Sequence, residues 1–195
     1  LSAAMDTLAA KGEAPDLRVA NYLSLSHPYS VDLYIQNTVA GARLIVVRLL
    51  GGQAYWGYGV QQLAEQAKQP GGTPVIFLPG DGKPDPELDY LSGFSTETRR
   101  NLAAYLDAGG RDNAVQFLIA LSDIVNASAV AVPPKPLLRA GIYWPRRVGD
   151  VPGLDALQAF WQPGAPVAAI VFYRALMQAG DLAPVDALID ACQKA

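Results

Sequence analysis

The apolar positions set out a chain of short, regular elements. Leu1, Met5 and Leu8 share one face of residues 1–11, the spacing of a helix. Residues 17–25 form a mostly apolar run after Pro15, which predicts a strand. Ser26-His27-Pro28-Tyr29-Ser30 follows as a turn, with Ser30 the expected N-cap. Val31, Tyr34, Ile35, Thr38 and Val39 then recur at helical spacing up to Gly41. Residues 43–50 are a mostly apolar run centred on β-branched Ile45-Val46-Val47, the pattern of a strand covered on both faces, and Gly51-Gly52 ends it. Val60, Leu63, Ala64 and Ala67 mark the next helix, closed by Pro70-Gly71-Gly72, and residues 73–78 predict a third strand before Pro79-Gly80-Asp81-Gly82. Strand–helix–strand–helix–strand is the order of a parallel α/β sheet of the flavodoxin or Rossmann type.

The pattern then changes. Residues 96–108 carry Leu102, Tyr105 and Leu106 on one side, and residues 111–127 are apolar nearly all round. Together they predict a helical hairpin, 96–127, inserted after the third strand of an N-terminal α/β domain spanning 1–128. Residues 129–138 contain Pro133-Pro134 and Pro136 and read as a linker. A second, incomplete α/β domain is expected over 139–195. It comprises strands at 140–144 and 167–174, a helix at 154–161, and a C-terminal helix with Pro184 in its first turn. The stripe Val185, Leu188, Ile189 and Cys192 on that last helix predicts a buried face, which makes Cys192 a core residue. A first helix without a start signal and a last β–α unit without its next strand lead us to expect a segment of a longer protein.

Composition narrows the function classes. Of 195 residues, 51% are hydrophobic and only 17% charged, which suits a packed core and not a disordered chain. A net charge of −3 without a clustered Lys/Arg face argues against nucleic acid and anionic lipid as partners. The longest apolar stretch is interrupted by Gln116, Asp123 and Asn126, so no membrane span is expected. A single cysteine excludes an intrachain disulfide and suits the cytoplasm. One His and one Cys do not make a zinc site without several carboxylates. Gly80-Asp81-Gly82-Lys83-Pro84 lacks the glycine spacing and the hydroxyl residue of a phosphate-binding loop, so no nucleotide hydrolysis is expected of this stretch.

One geometric expectation concerns ligands, which in open parallel sheets sit at the carboxyl ends of the strands. His27, the Gly51-Gly52 loop with Trp56, and the loop carrying Asp81 fall at that edge; Arg174 and Asp181 frame a similar edge in the second unit. Two readings stand side by side. Either the edge is a shallow binding rim with an imidazole and a stacking aromatic, or His27 and Trp56 simply pack the loops.

Several runs are familiar. Residues 25–34 (LSHPYSVDLY), 43–52 (RLIVVRLLGG) with Tyr55-Trp56 and Tyr58-Gly59, Leu78-Pro79-Gly80-Asp81, and Phe172-Tyr173-Arg174 with Ala179-Gly180-Asp181 and residues 184–188 (PVDAL) resemble the large subunit of CobN-type cobaltochelatases, in the family's order. The magnesium chelatase large subunit is a more distant match. The resemblance implies a tetrapyrrole-binding subunit whose full complex uses ATP to insert Co²⁺ into hydrogenobyrinic acid a,c-diamide in aerobic cobalamin synthesis. AAA+ ATPase and integrin-like partner subunits are implied too. This segment is expected to bind no cofactor itself and to scaffold or gate the corrinoid site. Metal insertion requires two pyrrole protons to be removed, and His27 and Asp32 are the nearby candidates for a base. The substrate-binding candidates are His27, Asp32, Trp56, Asp81 and Arg174, and no catalytic residue carries over from the family. The competing reading is a non-enzymatic docking module for the ATPase partners.

Overall fold

The computed structural model describes residues 1–137, 140–145, 153–159 and 161–194. Its sheet is a parallel pair, β1 (Ile45–Leu49) and β2 (Val75–Pro79), in register with Val47 opposite Phe77. Helix α3 (Gly57–Lys68) connects them, as a parallel pair requires. Before the sheet come α1 (Ser2–Ala9) and α2 (Pro28–Asn37). After it come α4 (Pro86–Leu91), α5 (Thr96–Ala108) and α6 (Gly110–Asn126), then α7 (Leu154–Gln158), α8 (Arg174–Ala179) and α9 (Ala183–Lys194).

Alternation along β2 explains why helices cover both faces. Ile76 and Leu78 point into a core shared with Ala4 and Leu8 of α1, Leu102 and Tyr105 of α5, and Phe117 and Leu118 of α6. Val75 and Phe77 point the other way, onto Val60, Leu63 and Ala64 of α3 and Leu88 of α4. The result is an α/β arrangement with the strands buried between two helical layers. The outer edge of β2 is sealed. Ser92 Oγ accepts the Phe77 amide at 2.9 Å, and the Gly93 amide reaches the Val75 carbonyl at 3.4 Å. That closure removes a site for stray strand pairing.

Arg99 is the buried cation among the described residues. It pairs with Asp89 at 3.0 Å and donates to the Phe94 carbonyl and Thr96 Oγ1, so its desolvated guanidinium is matched on several sides. Beyond α6 the chain doubles back along that helix. Asp123 accepts the amides of Val130 and Ala131, Gln116 that of Val132, and Asn113 that of Lys135. Four amides between Val130 and Lys135 are thus met by side chains spaced along α6. Among the described residues, no helix is long and apolar enough to cross a membrane.

Several expectations are corrected. Residues 17–25 are not a strand: they are irregular and end in a 3₁₀ turn at Tyr22–Leu25, capped by Asn21, whose side chain accepts the Leu23 amide. Among the described residues the sheet therefore has two strands and not three. Helix α2 starts at Pro28, with His27 and not Ser30 as N-cap; proline at the first helical position decided this. Residues 140–144 and 167–173 form no strand, and Arg174 begins a helix. Cys192 is exposed and not a core residue, because only Val185 of its stripe is buried. Predicted positions 138–139, 146–152, 160 and 195 lie outside the described residues.

Candidate functional site

Because β1 and β2 run the same way, their carboxyl ends meet on one edge. There the Gly80 amide donates to the Leu49 carbonyl at 2.6 Å, and a Cβ on Gly80 would lie 2.9 Å from that oxygen and from the Leu50 backbone. Only glycine fits so close an approach. After β1 the chain turns through Gly51 and Gly52, with φ of +91° and +76°. It then presents Tyr55, Trp56 and Tyr58 in sequence at the start of α3.

The Trp56 indole is held on three sides. Its Nε1 donates to the Leu25 carbonyl at 2.8 Å. Its ring tilts against Tyr22 with centroids 5.8 Å apart. Gly59, one turn along α3, leaves the space the ring occupies: a Cβ there would sit 2.2 Å from it. Next to it Tyr58 donates to Asp32 Oδ1 at 2.9 Å, joining α3 to α2. That bond to a carboxylate, helped by burial and the charges of Asp32 and Glu65, raises the Tyr58 phenol above its ordinary value. Between these groups lies a groove of about 190 Å³, lined by Tyr22, Leu25, Ser26, Val31, Trp56 and Tyr58 among others.

His27 stands at the mouth of α2. Its Nδ1 accepts the Tyr29 amide at 3.2 Å, so the neutral ring carries its proton on Nε2. In that state Nε2 is a donor, and the basic nitrogen is occupied by the cap. Asp32 is committed to Tyr58 through Oδ1. His27, Asp32 and Trp56 thus share one rim, and each fastens a loop or a helix end.

Asp81 lies on the neighbouring loop of the same edge. Its Oδ1 accepts the Lys83 amide at 3.1 Å and shapes the turn around Gly82. Arg174 is elsewhere. It is the first residue of α8 and donates to the Leu137 carbonyl at 3.2 Å. Helix α8 packs at the α5–α6 junction, where Gln178 donates to the Asp107 carbonyl at 2.8 Å and a Cβ on Gly109 would strike Gln178. The edge expected around Arg174 and Asp181 is not a strand edge, since residues 167–173 are not a strand. Tyr22 and Tyr58 are rim residues that sequence reasoning did not select. Tyr22 falls within the run that predicts a strand, and the partner of Tyr58 is 26 residues away.

Comparison with known proteins places this arrangement. The family described as CobN/Magnesium Chelatase matches residues 103–195, which include Arg174 but not the rim. The aerobic cobaltochelatase subunit CobN of a Sinorhizobium species is 42% identical in an alignment 185 residues long that covers 91% of this chain. This chain belongs to the CobN family. The CobN of Pseudomonas aeruginosa is 39% identical over 87% of the chain. The solved catalytic subunit of cobaltochelatase from Mycobacterium tuberculosis superposes with a TM-score of 0.67 at 27% identity, covering 96% of the chain. In each case the CobN segment described here spans a small part of its relative: 14%, 13% and 14% of their lengths.

Proposed function

We propose that this segment serves the large, tetrapyrrole-binding subunit of a cytoplasmic, ATP-dependent cobaltochelatase that inserts Co²⁺ into hydrogenobyrinic acid a,c-diamide. In this reading its α/β body scaffolds or gates the corrinoid site. The observation that carries the assignment is 42% identity across 91% of the chain with a cobaltochelatase subunit. The scaffold role is supported by what the rim side chains are doing: Nδ1 of His27 caps α2, Asp32 holds Tyr58, and the Trp56 indole binds Leu25. The lone pair that a base would use is taken up by the cap in neutral His27, whereas Asp32 commits only Oδ1. Co²⁺, ATP and the AAA+ and integrin-like subunits belong to the full assembly. A domain boundary at 129–138, between units 1–128 and 139–195, is part of the same proposal. So is completion of each unit as a flavodoxin-like sheet, the first with 96–127 as an inserted helical hairpin.

The test is cobalt insertion by the full-length subunit with its partners, comparing wild type with the double variant His27→Ala/Asp32→Asn. Loss of a general base costs about 10²–10⁴-fold. The scaffold reading expects a smaller loss, under about tenfold, and a drop of 10²-fold or more in kcat at unchanged KM contradicts it. A second reading, docking of the ATPase partners, is favoured by the exposed apolar side chains Leu23, Tyr29, Leu50 and Tyr55. Retention of those subunits by this chain in a pull-down would select it.

A further inference from the structure

Residues 166–173 (PVAAIVFY) are as rich in β-branched and aromatic residues as β1, yet they form no ladder among the described residues. Nor do the backbone groups of 166–172 pair with any other described backbone group. From Ile170 to Tyr173 the side chains nevertheless alternate like those of a strand, whereas 166–169 are all exposed. Ile170 and Phe172 are half-buried, whereas Val171 and Tyr173 are 93% and 87% exposed. The inward face is already built. Phe172 meets Tyr143 edge-on with centroids 6.0 Å apart, and the Tyr143 hydroxyl donates to Asp186 of α9 at 2.8 Å. Phe172 is thus linked through Tyr143 to α9, with no hydrogen-bonded ladder between 140–145 and 166–173 among the described residues. The contrast with β2 is plain, since Ser92 and Gly93 seal that strand's outer edge.

We propose that residues 166–173 are a strand-addition site, and that its occupant is a β-strand from the remainder of the same long polypeptide. This rests on one part of the functional reading, that the chain is a segment of a longer subunit; it covers 14% of its Sinorhizobium relative. Chain supplied in cis acts at a high effective concentration, so it outcompetes partners in trans. A ladder satisfies the backbone polar groups, and the added strand offers apolar, β-branched or aromatic side chains to Val167, Val171 and Tyr173, none of which carries a charge. Arg174 starts α8 and limits the ladder at that end.

Amide hydrogen exchange of the peptide 166–174 tests this, measured in the full-length subunit and in the 195-residue chain. Exchange about 100-fold slower in the full-length protein is expected, with fast exchange in the short chain. Val171→Pro removes a ladder donor. It is expected to restore fast exchange and lower the melting temperature of the full-length protein by several degrees, while leaving the short chain within about 1 °C. Equally fast exchange in both proteins overturns the proposal. Protection in the short chain that grows with protein concentration also overturns it, in favour of a second copy as occupant. A protected 166–174 in a full-length protein that inserts no cobalt sinks the functional reading alone; active chelatase with an unprotected segment sinks the strand addition alone.

Discussion

β1 and residues 166–173 are near-equals as sequences and opposites as structures. Both are short apolar runs, and both precede a helix. β1 has β2 beside it and helices over both faces, so Leu49 is fully buried. In 166–173, Val171 is almost wholly in water. The difference teaches that strand propensity describes a residue's fitness for a half-buried pleated surface, and a partner must supply the surface. Residues 1–124 supply theirs internally, through the two clusters packed on either face of the sheet. Residues 153–194 contribute just Leu157 and Val185 to the buried apolar set among the described residues.

That comparison can be broken most sharply by deleting side chains on each side of it. Phe77→Ala empties the centre of β2 and is expected to cost about 3–5 kcal/mol in denaturant unfolding. Val171→Ala in the same chain should stay within about 0.5 kcal/mol. Equal costs would mean that the two regions are equally packed. Arg99→Ala strands Asp89 and the Phe94 carbonyl inside the first region, and is expected to cost about 2 kcal/mol after discounting for the partial exposure of Asp89. Gly59→Ala sharpens the picture at the rim. The added methyl displaces the Trp56 ring, so stability should fall by about 1–2 kcal/mol, with a change in tryptophan fluorescence.

The smallest effect concerns the join between the two regions, where Asp123 grips residues 128–131. The Ser128 hydroxyl holds its carboxyl below the ordinary carboxylate range; burial opposes this, and the amides of Ala131 and Val130 add to the lowering. A carboxyl depressed on folding stabilises fully above its unfolded value, about 3.9, and the contribution is lost as pH falls through the lower folded value. The Val130 and Ala131 amide resonances should therefore titrate together in acid, below that value. In Asp123→Asn this transition should disappear.

Much of the first region was legible because helical periodicity and glycine punctuation are local. The helices of 57–68, 96–108 and 110–126 and both strands follow from the spacing of residues such as Val60, Leu63 and Leu102 and from Gly51-Gly52. The failures at 17–25, 140–144 and 167–174 share a cause: an apolar run says that a segment wants cover, not what covers it. Cys192 failed likewise, since its stripe lies on a helix that buries Val185 alone. Trp56 and Asp81 follow β1 and β2 as the logic of parallel sheets expects, whereas His27 was placed beside them by a strand at 17–25 that does not form. The hold of Tyr58 on Asp32 and of Tyr22 on Trp56 did not, because those pairings join elements far apart in sequence.

The scaffold role meets its most direct test in a titration of the 195-residue chain with hydrogenobyrinic acid a,c-diamide, followed through the corrinoid's visible absorbance. The account predicts no saturable change at micromolar concentrations. A saturating spectral shift with a micromolar or tighter Kd, abolished by Trp56→Ala, would contradict the proposed scaffold role and show that this rim binds that corrinoid.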